Sequence, residues 1–286
     1  MVTVNSVSGG KTSAYLAAHH KADYNIFALV RTNKKECIFK DKKIRQIVSD
    51  KIGKEFIGTL EMDEIVYTML DLEQFIGSKI TWVSGDSFEN LLTYKQNNLL
   101  PSPLRRYCSE ELKMKPIFRW WQKEINEVVE MRIGYRANEH NRVKNMQARL
   151  VNGLMAFRHS DEKSKSGRNK WQETYFQKPA WPLISLDNPI YKSNIEEFWK
   201  DKPVKFAELN NCVGCFHRNE ILLKKLWTTH PDKMQFFSDL EKNRKYKNDT
   251  FKMTDDITYE KIKSWNLQAE LSFDDFGECD SGHCGI

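Results

Sequence analysis

Small and hydroxyl-bearing residues near the start of the chain, SGGKTS at residues 8–13, have the composition of an anion-binding loop. They follow the strand-like segment VTVNSV and precede a segment with helical apolar spacing. Two glycines at such a junction let backbone N–H groups turn toward an anion, and the helix N-terminus adds partial positive charge. The stretch predicts a phosphate or pyrophosphate cradle; the alternative is a helix with a glycine turn and a Ser or Thr cap.

The ending Gly10-Lys11-Thr12 also matches the end of a Walker A loop, G-x-x-x-x-G-K-[ST]. The first glycine of that motif would stand where this chain has Asn5, inside the strand-like segment. Since that glycine allows the loop to wrap the phosphates, the sequence favours a different cradle.

Six cysteines, at positions 37, 108, 212, 215, 279 and 284, are the second group with potential chemistry. In a reducing compartment, a close pair such as Cys212 and Cys215 is more often a metal or redox site than a disulfide. Thiolates at this spacing chelate a soft metal, and a complete site needs four ligands. The alternative is two reduced cysteines in a turn that binds no metal.

Short apolar runs alternate with helix-like stretches over the first half of the chain. The runs TVNSV, NIFALV, EFIGTL, KITWVS and VEMRIGY predict strands, and KTSAYLAAHHK, CIFKDKKIRQIVSDKIG and MDEIVYTMLDLEQFIG predict helices. Strand-helix alternation predicts an α/β fold, a doubly wound, mostly parallel five-stranded sheet with helices on both faces, followed by a mainly helical C-terminal region.

The polar stretch HSDEKSKSGRNKWQE predicts a surface loop that separates the α/β half from the rest of the chain. Beyond it, NEILLKKLWTTH and PDKMQFFSDLEKN predict two helices. We therefore predict an α/β nucleotide-binding domain over residues 1–150. A C-terminal region over residues 151–286, packed on it, would hold the C-x-x-C, the helices and the cysteine-containing tail.

The composition fits a globular protein, with 40% hydrophobic and 29% charged residues. No run approaches the roughly 18 apolar residues of a membrane span, and the N-terminus lacks the pattern of a signal peptide. These features predict a cytoplasmic protein without a membrane partner. The net charge of +6 suits a nucleotide or a nucleic acid, or else is simply a solvated basic surface.

Four segments, in order over residues 2 to about 220, resemble the phosphoadenosine phosphosulfate (PAPS) reductase branch of the adenine nucleotide alpha hydrolase superfamily. SVSGGKTSAYL is similar to its PP-loop, usually S-G-G-x-D-S, but has Thr12 in place of Asp. The segment CSEELK, with Pro116, is similar to C-x-x-x-[LR]-K-x-x-P, and GYRANE, with Arg142, is similar to G-x-R-x-[DN]-E-x-x-R. The C-x-x-C stands where iron–sulfur members carry theirs.

The resemblance implies an enzyme that binds ATP or PAPS, with Mg²⁺ accompanying ATP. Because strand ends line the ligand crevice in such sheets, Asn33 after NIFALV is predicted to contact the adenosine. Arg136 and Arg142 are expected to bind phosphate or sulfate oxygens; for either residue the alternative is a structural ion pair with Glu139. The complete predicted nucleotide site is Ser8, Gly9, Gly10, Lys11, Thr12, Ser13, Asn33, Lys113, Arg136 and Arg142.

The resemblance also implies a 4Fe-4S cluster, with zinc as the alternative. The implied ligands are Cys108, Cys212, Cys215 and Cys279, with Cys284, His217 and Cys37 as other candidates for the fourth position. The alternative is a cluster in which one iron has no protein ligand. The predicted catalytic residues are Cys284, Lys11 and Arg136. The ending HCGI matches only part of the family tail E-C-G-[LI]-H, in which the cysteine is the nucleophile.

Three functions follow from the resemblance. One is a sulfonucleotide reductase in sulfur metabolism that uses a thiol reductant. Another is an ATP pyrophosphatase-type enzyme that adenylates a nucleic-acid base or a small molecule and then transfers sulfur or nitrogen from a donor. Intact Gly9 and Gly10 favour ATP. The third, supported by Thr12, is a non-catalytic nucleotide-binding accessory protein. The oligomeric state is not predicted.

Overall fold

The computed structural model describes residues 1–95, 98–243, 245, 250–252 and 257–266. Their eight strands are β1 (Val2–Val7), β2 (Tyr24–Ala28), β3 (Arg31–Thr32), β4 (Gly58–Thr59), β5 (Ile80–Val83), β6 (Val129–Arg132), β7 (Met155–Lys163) and β8 (Asn169–Ala180). The main sheet has the order β5-β2-β1-β6-β8-β7, and β3 and β4 form a separate two-stranded sheet.

The main sheet is mostly parallel, which confirms the predicted α/β class. Strand β1 lies between β2 and β6 and pairs parallel with both, and β6 pairs parallel with β8. Strand β7, at the edge of the sheet, pairs antiparallel with β8. The predicted number of five strands is wrong: the sheet has six, and EFIGTL contributes only the short β4 outside it. Buried Val4, Ile26 and Val129 show why these segments form central strands, since apolar runs suit strands covered on both faces.

Nine α-helices of five or more residues lie within the described ranges. They are α1 (Lys11–His19), α2 (Lys42–Ile52), α3 (Asp63–Ile76), α4 (Lys115–Glu124), α5 (His140–Gln147), α6 (Lys192–Trp199), α7 (Glu220–Thr229), α8 (Pro231–Lys242) and α9 (Tyr259–Lys263). The other helical segments, each of three to five residues, are Lys35–Cys37, Phe88–Asn90, Leu91–Lys95, Tyr107–Ser109, Glu110–Met114 and Pro182–Ile184. All five segments predicted to be helical contain a helix.

Local signals explain where helices begin and end. Asp41 caps α2, because its carboxylate accepts hydrogen bonds from the amides of Lys43 and Ile44. Gly53, at φ +63°, ends the same helix in the left-handed conformation that favours glycine. No helix of the described ranges is long and apolar enough to cross a membrane.

The chain contains two compact units. The first comprises Met1–Phe27, Tyr67–Thr81 and Ile117–Phe206, and the second comprises Ala28–Val66, Trp82–Pro116 and the chain from Ala207 onward. Each unit is formed by three separate stretches of the chain. The predicted division into residues 1–150 and 151–286 stays a prediction.

A β-hairpin replaces the surface loop predicted for HSDEKSKSGRNKWQE, so that prediction is wrong. Strands β7 and β8 are joined through Ser164 and Arg168, whose backbones pair at 2.7 Å, and Gly167 at φ +77° closes the turn. A short loop with a left-handed glycine is a favoured hairpin connection. Rings of Phe157 and Phe176 pack against α4, which anchors the hairpin base in the first unit.

Candidate nucleotide site and cysteine cavity

The loop SGGKTS connects β1 to α1 in the first unit. Gly9 has φ +69°, and Gly10 is the extended residue just before α1, without a side-chain cap. The first amides of a helix have no intrahelical partner, so they are donors for a bound anion. The backbone thus has the turn and the helix start that the sequence predicts.

Ser13 forms hydrogen bonds within the loop itself. It is buried, its Oγ donates to the Gly10 carbonyl at 3.0 Å, and it accepts from the Ser8 amide at 3.0 Å. The Ser8 and Ser13 hydroxyl oxygens are 3.1 Å apart. These bonds close the loop on itself, so Ser13 holds the loop's shape. A residue distant in the chain also stabilises the loop: the indole N–H of Trp199 donates to the Lys11 carbonyl at 3.0 Å.

The loop lies where the strand order of the sheet reverses. From β1 the sheet continues to β2 and β5 on one side, and to β6, β8 and β7 on the other. Gly134, just after β6, packs directly on the loop: a Cβ there would lie 3.2 Å from both the Ser13 Cα and the Thr12 carbonyl oxygen. The carboxyl end of an open α/β sheet at such a reversal is the usual position of a ligand crevice.

Arg136 and Arg142 follow β6 in the same unit, and both contact Glu139. The Arg136 amide donates to Glu139 at 2.6 Å and its Nε at 3.3 Å, while Arg142 Nη1 donates at 2.5 Å. Arg142 also lies over the Tyr135 ring at 4.2 Å. Burial raises the pKa of Glu139, but the Arg136 amide, the Arg142 hydrogen bond and both arginine charges outweigh it and lower the pKa overall.

Asn33 and Lys113, predicted for the nucleotide, belong to the second unit. The Asn33 amide donates to Glu89 at 2.6 Å. Lys113 Nζ forms an ion pair with Glu61 at 2.8 Å, and the Glu61 side chain is only 3% exposed. A buried carboxylate of this kind requires a cation beside it, so Lys113 has a structural contact in addition to its predicted role.

Three of the predicted metal ligands line one cavity in the second unit. Cys108 lies in the helical turn Tyr107–Ser109, and Cys212 and Cys215 lie in the turn before α7. The cavity has a volume of about 50 Å³, several times what one water molecule needs. It is lined by Val30, Phe88, Pro101, Cys108, Ser109, Leu112, Lys113, Asn211, Cys212, Gly214, Cys215, Phe216, Phe237 and Phe251.

A buried arginine forms hydrogen bonds with the backbone of the C-x-x-C turn. Arg218, 3% exposed, donates to the carbonyls of Cys212 at 3.3 Å and Asn211 at 3.4 Å. The Tyr259 hydroxyl donates to the Gly214 carbonyl at 2.6 Å. Burial, then the negative charges of Glu241 and of the two turn cysteines, raise the pKa of Tyr259 well above its usual value.

The thiols of Cys108, Cys212 and Cys215 line one cavity, but they are not arranged to coordinate a metal ion. In the part of the chain that the structure describes, no group of three or more His, Cys, Asp or Glu side chains is arranged to hold a metal ion. Cys279 and Cys284, predicted as the fourth ligand and the nucleophile, lie outside the described residues. Cys37 is buried, and burial raises the pKa of its thiol to about 12.

Sequence reasoning missed the residues that support these sites. Trp199 and Arg218 stand in no motif, and their contacts join segments that no local pattern connects. Comparison of the chain with protein-family models, curated proteins and solved structures found no match in any of the three.

Proposed function

We propose that this chain binds an adenine nucleotide at residues 8–13 and is a PAPS reductase-like enzyme that acts at the α-phosphate or at a phosphosulfate. One observation carries the proposal: the glycine loop after β1 and the Gly134 segment after β6 pack together at the reversal of strand order. Open α/β sheets bind ligands at this position.

The chemistry of the donors supports a phosphate ligand. The amides that open α1 have no intrahelical partner and can donate to an anion, and Lys11 is the first residue of that helix. Arg136 and Arg142 carry guanidinium forks that suit paired phosphate or sulfate oxygens. Glu139 holds both forks in place before the anion binds.

ATP is the ligand that the loop itself favours. Gly9 has a left-handed conformation that favours glycine, and the paired glycines resemble the pyrophosphatase form of the loop. An oxygen of a second substrate would then attack the α-phosphorus. The new oxygen–phosphorus bond would replace the bond to the β-phosphate, and pyrophosphate would leave toward Lys11 and the arginines.

PAPS is the second candidate, because of the tail cysteines. The Cys284 thiolate would attack the sulfur of PAPS, releasing adenosine bisphosphate and leaving a Cys–S–sulfonate. A dithiol reductant would then supply two electrons and release sulfite.

A metal centre at the cysteine cavity is part of the same proposal. Cys108, Cys212 and Cys215 provide three soft thiolate donors of the kind that iron–sulfur clusters and zinc prefer, and Cys279 is the proposed fourth. Because no coordination set is preformed in the described residues, we assign the metal no step in the reaction.

The test is equilibrium binding of ATP and PAPS to the full chain, purified anaerobically, with Gly9→Ala and Gly77→Ala as a matched pair. Gly77, at φ +59° in the same unit, has nothing within 4 Å of the position that an added methyl group would take, so its variant has the same backbone strain without touching the loop. Alanine in this conformation costs about 1–2 kcal/mol. We expect Gly9→Ala to weaken nucleotide binding by roughly tenfold or more, which is about 1.4 kcal/mol, and Gly77→Ala to leave it unchanged.

The products separate the candidates. Pyrophosphate from ATP selects α-phosphate chemistry, sulfite from PAPS selects the reductase, and binding without either product selects the accessory class. Failure of the wild-type chain to bind both nucleotides, or equal weakening in both glycine variants, would contradict the proposed site.

A further inference from the structure

The β7–β8 hairpin extends past the amino end of the sheet. Gln177–Ala180 of β8 pair with β6, whereas Asn169, Lys170 and residues 172–175 pair with β7 and not with β6. From Gln177 to Arg168 is nine residues, or roughly 30 Å of extended chain. Because β8 runs parallel to β1, the hairpin leaves the sheet at the edge opposite to the loop 8–13.

The tip of this hairpin, KSKSGRNKW at residues 163–171, contains four cations and no acidic residue. The acidic residues just before it are already paired: Asp161 with Arg119, and Glu162 with Lys170 at 3.0 Å. Lys163, Lys165 and Arg168 are exposed, and none is in an ion pair within the described residues. Because Glu162 compensates Lys170, three cations of the tip remain uncompensated.

Aromatic side chains accompany this charge on the outer face of the hairpin. Trp171 is 55% exposed and Tyr175 is 38% exposed. The Arg158 guanidinium lies over the Trp171 ring at 4.9 Å, which holds both side chains on that face. These rings add apolar contact area to the charged hairpin.

We propose that this hairpin docks on duplex DNA, with its tip in the major groove and Lys163, Lys165 and Arg168 on phosphates. The charge of the tip complements a phosphate backbone and would repel the tip of a second copy of this chain. A two-stranded β-ribbon fits the B-form major groove, about 12 Å wide, whereas the deep, narrow groove of A-form RNA excludes side chains. Lying opposite to the loop 8–13, the hairpin would anchor the polymer away from the nucleotide site, so this inference is independent of the proposed function.

The experiment measures binding of the full chain to a fluorescent DNA duplex of about 20 base pairs, two helical turns, by anisotropy over a range of salt concentrations. The test variant is the triple substitution Lys163→Gln, Lys165→Gln and Arg168→Gln. The matched control is Lys21→Gln, Lys79→Gln and Lys200→Gln, which removes the same charge from exposed positions in the same unit. Thermal unfolding of each variant confirms folding.

We expect the hairpin variant to lower the salt slope by about 3 and the affinity by roughly 100-fold at about 100 mM salt, since each phosphate contact contributes about 0.9 to the slope. The control should retain at least most of the wild-type affinity. Single-stranded DNA and an RNA duplex of equal length should bind more weakly than the DNA duplex. No binding by the wild-type chain, equal losses in both triple variants, or tighter binding to single strands or RNA would overturn the proposal.

Discussion

Cys37 and Cys108, two cysteines of the second unit, have different surroundings. Cys37 is 1% exposed, and burial raises the pKa of its thiol to about 12, so it is protonated at neutral pH. Cys108 is partly exposed and lines a cavity with Cys212 and Cys215. Only a thiolate ligates a metal, so the protonated Cys37 is not suited to ligation, whereas Cys108 shares its cavity with two further thiols.

This contrast gives a prediction for metal content. Cys108→Ala should lower the iron or zinc bound by the anaerobically purified chain to less than half of the wild-type amount, because it removes one of three cavity thiols. Cys37→Ala should leave the metal content unchanged. Elemental analysis and the visible absorption of each protein are the measurements; retention of full metal by Cys108→Ala, or no metal in the wild-type chain, would exclude the cavity as the metal site.

The C-x-x-C turn is held against helix α8 by close packing. A Cβ on Gly214 would lie 2.2 Å from the Phe237 ring, a separation that requires the ring or the turn to move. The ring also contacts Phe251 and Tyr259, at 5.5 and 5.9 Å between centroids, so it is confined. The glycine between the two cysteines is therefore a packing requirement of this element pair.

We predict that Gly214→Ala lowers the free energy of unfolding by about 1–3 kcal/mol, the usual cost of overpacking. The double variant with Phe237→Leu should lose less than the sum of the two single variants, since the smaller side chain leaves room for the methyl group. Urea denaturation of the four proteins gives the coupling. A strictly additive double variant would show that the ring does not oppose the methyl group.

A buried carboxylate makes the free energy of unfolding of the chain depend on pH. Glu241 in α8 is 9% exposed, and its oxygens accept from the amides of Phe251 at 3.0 Å and Tyr259 at 2.7 Å. Burial raises the pKa of Glu241 from 4.5 to about 7, although both amide bonds and the charge of Lys252 act in the opposite direction. The folded state therefore binds a proton more tightly than the unfolded state.

The sign of the pH dependence follows from that difference. The contribution of Glu241 to stability is greatest below pH 4.5 and decreases as the pH rises through about 7. The decrease amounts to roughly 3 kcal/mol between these limits, at 1.36 kcal/mol for each pKa unit. Glu241→Gln should remove this component, so the wild-type free energy of unfolding should fall relative to the variant between pH 5 and pH 8. Urea denaturation at several pH values measures it; a constant difference would contradict the raised pKa.

The sequence was most informative where one local pattern sufficed. Apolar runs and helical spacing located β1, β2, β5 and β6 and all five helices that were predicted. The hairpin was missed because its polar outer face and its charged tip have the composition of a loop. The residue types that favour strands in WQETYF (Trp, Thr, Tyr and Phe) and the glycine at 167 were the signals for it.

For the candidate site, the order of residues alone determined the glycine turn and its position between a strand and a helix, since both depend on neighbours in the chain. The residues that pack on this turn could be identified only from the tertiary structure. The sheet brings Gly134 into contact with the loop, and α6 brings the Trp199 indole to the Lys11 carbonyl. Likewise, the C-x-x-C could be read from the sequence, but only the fold brings Cys108 to the same cavity and the Arg218 guanidinium to the carbonyl of Cys212. Such contacts depend on packing between segments far apart in the chain, which no local periodicity encodes.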